Sequence, residues 1–254
     1  MPDERWLMLD LEAPLVAFGG VAIDQLGLTR DFPAQSMLTG LFANAFGWTR
    51  TDWRAHQDLQ DRLVFAARID RERAAGLLTD TQNAKLEKND RGWTTWGVPE
   101  GRDGASYSAP HRRWRDYHTD AHVVVALRLA PSDAGPDLEA LAAALDRPAR
   151  PLFIGRKPCL PSGPLLPAEA DGRFVTAPDA HTALARRVLR EADAKDASPP
   201  RLRALWPLGE GPETTGNLVN RVVDLPDLRN WRTGLHGGVR KVVEGFVIPE
   251  GMVS

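Results

Sequence analysis

Residues 30–47 read RDFPAQSMLTGLFANAFG, and they dictate their own conformation more firmly than any other stretch of the chain. Pro33 holds Phe32 extended, and Ser36 is placed to accept a hydrogen bond from the first free backbone N–H groups of a helix. Beyond it Leu38, Leu41, Phe42 and Ala45 recur on one helical face, and Gly47 supplies a left-handed stop. The small residues Gly40, Ala43 and Ala45 let this helix lie close against something flat, for which the strand Trp6–Leu11 is the candidate. A strand, a loop carrying Arg30 and Ser36, and an outward-pointing helix N-terminus together make an anion or phosphate contact. The same residues also describe a plain strand–helix packing unit with a capping serine.

The chain of 254 residues, 43% hydrophobic, is long enough to bury a full core as one elaborated domain or two small ones. Its single cysteine, Cys159, excludes an internal disulfide framework and a cysteine-rich zinc site, and fits a reducing compartment. No apolar run reaches the roughly 20 residues that cross a bilayer, and the N-terminus is no signal peptide, so a cytoplasmic protein is expected. A net charge of -2 argues against non-specific nucleic-acid binding through a large positive field, and leaves room for a local basic patch.

Outward from the helix, Leu7, Leu9 and Leu11 alternate with Trp6, Met8 and Asp10 as in a half-buried strand. Asp52 is placed to cap a second helix with Trp53, His56, Leu59 and Leu63 on one face, leading into a strand at Val64–Ile69. Thr79–Asp120 shows no periodicity but contains Trp93, Trp96, Tyr107 and Trp114, and it reads as an extended arm that orders on a partner. A strand at Ala121–Leu129, a helix at Asp137–Leu145 and a short strand at Pro151–Ile154 follow. The order β, α, β, arm, β, α, β is that of a ferredoxin-like α+β fold, an architecture shared with RNA-recognition domains. It places an RNA-binding core at residues 1–160, with the arm at about 79–120. A C-terminal extension at 161–254 then carries an amphipathic helix, Asp179–Lys195, and strands at Val219–Leu225 and Val239–Ile248. Those strands belong either to a second sheet or to the first.

The run His111-Arg112-Arg113-Trp114-Arg115-Asp116-Tyr117-His118 interleaves guanidinium groups with rings, a combination that neutralises phosphates and stacks bases, or else a solvated arginine face beside a strand. Gly155-Arg156-Lys157 is a phosphate cradle or an ordinary basic turn. His111 and His118 with Tyr117 offer an acid and a base for metal-free RNA cleavage, or else are histidines that stand beside arginines without a catalytic part. His56, His122, His181 and His236 are scattered without metal-ligand spacing, and neither GxxxxGK[ST], GxGxxG nor GxSxG occurs.

The succession Ala17-Phe18-Gly19, Arg30-Asp31-Phe32-Pro33 with Ser36, Gly40-Leu41 and Ala45-Phe46-Gly47 resembles the Cas-five family, the CasD subunit of CRISPR Cascade, closest to type I-E. Trp114-Arg115-Asp116-Tyr117, Asp120-Ala121, Pro151–Cys159 and, more loosely, Arg229-Asn230-Trp231 agree with it. Phe18 departs from the tryptophan usual there, and the stretch Asp196–Gly216 is not placed by the resemblance. The resemblance implies a repeat-associated fold on an RNA-recognition-like core, with the arm as the family's thumb. It implies a non-catalytic subunit that grips the five-prime handle of the guide RNA, caps the backbone filament, adjoins the large PAM-reading subunit and meets target DNA only indirectly. The type I-C branch, whose subunit cleaves repeat RNA, supplies the enzyme alternative. The residues expected at RNA are Arg30, Ser36, Trp93, Trp96, Arg112, Arg113, Arg115, Tyr117, Arg156 and Lys157. No residue is assigned to catalysis, a cofactor or a metal.

Overall fold

The computed structural model describes residues 3–20, 22–73, 76–84, 92–93, 99–100, 111–194, 201–214 and 216–253. The chain opens with a long strand, β1 (Glu4–Val16), followed by the small hairpin β2 (Ala22–Ile23) and β3 (Leu26–Gly27). Helices α1 (Gln35–Phe46) and α2 (Trp53–Arg62) lead into β4 (Leu63–Arg71) and β5 (Leu77–Ala84). Short β6 (Gly92–Trp93) and β7 (Pro99–Glu100) pair with each other, and β8 (His111–Leu129) is the longest strand described. After α3 (Leu138–Asp146) come β9 (Phe174–Ala177), α4 (Ala180–Arg186), β10 (Leu189–Arg190), β11 (Leu202–Pro207), β12 (Val219–Leu225), β13 (Arg240–Val247) and β14 (Met252–Val253). Among the described residues the main sheet runs β12-β13-β11-β4-β8-β1-β9.

Strand β8 organises the sheet. Its C-terminal half lies antiparallel between β1 and β4, with Leu127 opposite both Leu7 and Phe65. Its N-terminal half pairs with β5, from Leu77 opposite His118 to Ala84 opposite His111, and β3 runs parallel beside it at Trp114 and Arg115. The change of partner falls at Asp120, whose φ of 49° lies in the left-handed region, and a register shift between Ile69 and Arg71 lies opposite Val123 and His122. The base of the expected structureless arm is therefore a β-hairpin. Its alternation was hidden because both faces carry charged and polar side chains. Of the arm's tryptophans, Trp93 lies in β6, whereas Trp96 falls outside the described residues.

The sheet is buried on both faces, which corrects the half-buried reading of β1. Leu7, Leu9 and Leu11 pack with Val123, Val125, Leu127 and Phe65 under Leu38, Phe42 and Leu141 of α1 and α3. Trp6 and Met8 join Val124, Ala126, Trp206 and Val243 under Ala180, Ala183 and Leu184 of α4. Apolar side chains on both sides of a strand give a continuous hydrophobic run rather than alternation. Arg68, fully buried, crosses to the α4 side, where its guanidinium binds Asp70 at 2.6 and 2.8 Å and donates to the carbonyls of Leu184 and Arg187.

Three further elements differ from expectation. Residues 151–154 form no strand, and the chain from Ile154 to Leu165 instead follows the edge of β1 through single hydrogen bonds from Ala17 N–H to Ile154, Ser162 N–H to Glu12 and Asp10 N–H to Leu165. Pro158, Pro161 and Pro164 carry no N–H and so prevent a ladder there. The expected helix Asp179–Lys195 stops at Arg186, because Arg68 takes its terminal carbonyls and Leu189 turns into a parallel bridge with Met252. The unplaced stretch 196–216 holds β11, which joins β13 to β4, so the C-terminal strands extend the first sheet. Among the described residues no helix is long and apolar enough to cross a membrane.

Candidate nucleic-acid interface

Helix α1 forms as its sequence requires and stops at Gly47, whose φ is 77°. Its cap is not Ser36. The N-cap position is Ala34, and the Asp227 carboxylate, 1% exposed, accepts from the Gln35 backbone N–H at 3.0 Å. Asp227 is held in turn by Arg240 at 2.9 Å. The helix N-terminus already has its anion, built into the protein, so it does not supply the expected phosphate contact.

What the first turn does supply is one wall of a cleft of about 290 Å³, where Ser36, Met37, Gly40 and Asn44 face Gly19-Gly20, Phe153, Gly155, Arg229, Trp231 and His236. Gly155 is required here. Its φ is +83°, and a β-carbon would stand 1.6 Å from the Ala17 carbonyl oxygen, so only glycine lets the two loops meet. The opposite wall is a turn whose ends bridge at Arg229 and His236. Helix α2 holds this turn by its glutamines. Gln60, 1% exposed, accepts the Arg229 N–H at 3.1 Å and the Trp231 indole N–H at 3.0 Å, and returns its own amide N–H to the Arg229 carbonyl at 2.9 Å. Asp52 stands at the N-cap of α2 but spends its carboxylate on Thr49, at 2.7 and 2.8 Å, rather than on the helix.

Charge around this cleft is uncompensated among the described residues. Arg30, Arg50 and Arg229 have no carboxylate within ion-pair distance among the described residues, and the Nε atoms of Arg30 and Arg229 are buried without a hydrogen-bond partner. Burial, with the Arg50 charge added, pushes the Arg229 guanidinium below its usual range. Burial likewise lowers His236, helped by the positive charges of Arg229 and Arg30. Positive groups drawn together without a counter-ion destabilise one another, and an anion between them removes that cost.

Apart from Trp93 and Trp96, the residues expected at RNA divide into three groups. Ser36 lines the cleft, Arg30 lies beside it with one nitrogen on the Pro226 carbonyl at 2.6 Å, and Lys157 is exposed close to Gly155. Arg112 is exposed on the β8 stem, Arg113 donates to the Arg112 carbonyl at 2.8 Å, and Arg115 crosses Gly27 to the Gln25 carbonyl at 3.2 Å. Tyr117 and Arg156 are structural. The tyrosine is 2% exposed with the guanidinium 5.1 Å from its ring centre, and Arg156 donates to the carbonyls of Asp116, Gly27 and Leu28 at 2.7, 2.7 and 3.0 Å. The sequence reading missed Arg50 and His236 as site residues, and only the loosely matching Arg229-Asn230-Trp231 hinted at the turn.

A second charged cluster lies on the central strands β4, β8 and β1, near β10. Asp70, His122 and Asp193 stand close enough to share a metal ion. Arg68, Arg71 and Arg190 already bond those carboxylates, which makes the cluster an ion-pair network joining β1, β4 and β8 to residues 190–193. Burial disfavours the charge on His122, but hydrogen bonds to Asp10 at 3.1 Å and Asp193 at 2.8 Å outweigh it and raise its pKa.

A mixed α/β protein with an antiparallel sheet and an arginine- and tryptophan-lined cleft is the class defined by these observations. Residues 6–243 match the family model described as CRISPR-associated protein (Cas_Cas5), and the chain belongs to that family. It is 29% identical over 160 residues to the CRISPR system Cascade subunit CasD of Escherichia coli strain K12, covering 63% of this chain and 69% of that protein. A chain in a structure titled CRISPR RNA-guided surveillance complex superposes with a TM-score of 0.66 at 22% identity, covering 98% of this chain and 93% of the other. A second, titled crystal structure of Cas protein, gives 0.59 at 22% identity, with 97% and 96% covered. Those two likenesses concern the fold.

Proposed function

We propose that this protein is a non-catalytic, RNA-holding subunit of a Cascade complex in the cytoplasm. It grips the five-prime handle of the guide RNA, ends the backbone filament and stands beside the large PAM-reading subunit, meeting target DNA only through those partners. The observation that carries this reading is the cluster of Arg30, Arg229 and His236 around the cleft, with no carboxylate opposing it among the described residues. A phosphodiester supplies the missing negative charge, and Trp231 offers a ring beside it. The fold reading attached to this function is a ferredoxin-like core of β1, β4, β8 and β9. Their spatial order β4-β8-β1-β9, all antiparallel, with α1 and α3 on one face, supports it.

A handle oligonucleotide titrated by fluorescence anisotropy at several salt concentrations tests the grip. Arg229→Ala should weaken binding and lower the salt slope by about 1 for each phosphate the variant no longer neutralises, and an unchanged slope with unchanged affinity would overturn the assignment. The non-catalytic part has its own test. Tyr117 is buried and His118 has its Nε2 2.8 Å from the Arg30 carbonyl, an arrangement that favours packing over proton transfer. General acid–base groups typically contribute about 10²- to 10⁴-fold, so His118→Ala and His111→Ala should leave guide maturation in cells intact. Loss of mature guide with the complex still assembled would reverse the reading.

A further inference from the structure

Trp231 has two sides, and only one belongs to the cleft above. On the other, Trp48, Thr49, Arg50, Trp53, His56 and Gly234 enclose a second pocket of about 270 Å³, with Arg229 and Trp231 as the shared wall. We propose that this pocket is a binding site for one unpaired nucleotide of single-stranded RNA, its base against the indoles and its phosphate between Arg50 and Arg229.

Three observations converge on a ligand that is flat and anionic. The first is charge. The Nη2 atoms of Arg50 and Arg229 lie 3.3 and 3.4 Å from the point where a β-carbon on Gly234 would stand, so two guanidinium ends close on one small volume. Neither has a carboxylate within ion-pair distance among the described residues, and the same holds for Arg54 and Arg232 at the rim. A bidentate fork from each arginine suits the oxygens of a phosphate. The second is the ring system. The Trp48 ring stacks on Phe46 at 5.0 Å, His56 bridges Trp48 and Trp231 at 5.5 and 4.7 Å, and Trp53 carries the Arg54 and Arg232 guanidinium groups at 4.6 and 5.8 Å. Trp48, Trp53 and Trp231 all remain partly exposed, so indole surface is open to a ligand. The third is rigidity. Gln57 and Gln60 of α2 bind the backbone and indole of Trp231, so the wall is set before any ligand arrives.

An acidic protein segment would satisfy the arginines but would leave the indoles without a stacking partner, which is why a nucleotide fits better. Single-stranded rather than duplex RNA follows from the indoles, since a paired base has both faces taken by its neighbours in the stack and offers none to a ring. The inference rests on the RNA-holding function proposed above and adds a second subsite to it.

The test uses the full-length chain and short single-stranded RNAs of the handle sequence, each with 2-aminopurine at one position. One position should be quenched strongly on binding. Trp53→Ala should abolish that quench and weaken binding about fivefold to hundredfold, the range for one stacked base, whereas Trp53→Phe should retain both. Arg50→Ala should weaken binding and Arg50→Lys should restore part of it, with thermal melting showing that each variant is folded. If Trp53→Ala and Arg50→Ala bind like the wild type while His236→Ala does not, the first cleft stands and this second site is wrong. If the wild type binds none of the RNAs, the function proposed above falls as well. Displacement of the probe by polyaspartate in preference to single-stranded RNA, or equal competition by duplex RNA, would also overturn the nucleotide assignment.

Discussion

Asp227 and Gln35 stand 192 residues apart and meet as cap and helix start, with the carboxylate 3.0 Å from the backbone nitrogen. The Ser36 N–H completes the contact by donating to the Asp227 carbonyl at 3.1 Å. Because Arg240 is the carboxylate's other partner, Asp227→Ala removes a helix cap and strands a mostly buried guanidinium at once. The expected loss is about 3–5 kcal/mol in urea denaturation. Asp227→Leu combined with Arg240→Met should lose less than the single change, because no charge is left unpaired. A double variant less stable than Asp227→Ala would show that the ion pair is not the dominant contribution.

Gly155 and Gly237 make a matched pair of alanine substitutions. At Gly155 the added carbon meets the Ala17 carbonyl at 1.6 Å and the backbone is left-handed, so Gly155→Ala should cost more than about 2 kcal/mol and distort the cleft floor. At Gly237 nothing lies within 4 Å, and Gly237→Ala should fall within about 0.5 kcal/mol of the wild type. Thermal unfolding of the two side by side reads the difference.

The His122 network ties stability to pH from both directions. Burial raises the pKa of Asp193, yet hydrogen bonding and charge from His122, with Arg190 and Arg71, carry it down to about 2. A carboxylate lowered in the folded state contributes stability above its ordinary value of 3.8 and loses it as pH falls towards 2. His122 is raised above 6.5, so its contribution is complete below that pH and disappears as pH rises through the folded value. The stability gap between wild type and His122→Gln should therefore be widest at mildly acidic pH and narrow on the alkaline side. Urea midpoints measured across this range give the answer, and a gap that widens with rising pH would contradict the protonated histidine.

Binding should carry the opposite linkage at His236. Its pKa is lowered in the free protein by burial and by the neighbouring arginines, and a phosphate placed among them cancels much of that repulsion. RNA association then takes up a proton, so affinity should rise as pH falls from about 8 to 6 at constant ionic strength. His236→Asn should flatten the profile. An identical slope in the variant would place the proton uptake elsewhere.

Much of the fold was legible in the sequence where the signal is local. The Leu38–Ala45 face and its Gly47 stop, the helix at Asp137–Leu145 and the β-branched run at 123–125 all formed as read, to within a residue at the ends. Three of the misreadings share one cause, which is that the deciding partner is distant. Asp227 replaces Ser36 as the cap, Arg68 ends α4 early, and β9 at Phe174–Ala177 takes the β1 position that Pro151–Ile154 was expected to fill. The candidate site behaves in the same way. Arg50, Arg229 and His236 come together only because Gln60 fastens a loop that lies 169 residues further along the chain. No window of sequence contains that juxtaposition.

The 19 residues of β8 run from the middle of the sheet into the stem of the arm as one strand, turned at Asp120 by its left-handed backbone. Slipping one end by a single position would turn Val123, Val125 and Leu127 away from the helices, so the registers at the two ends are bound to each other. The molecule thus works as a fixed gauge. Whatever holds Trp114 and Arg115 is kept at a set distance from the centre of the sheet, and a displacement of the stem moves the core strand with it.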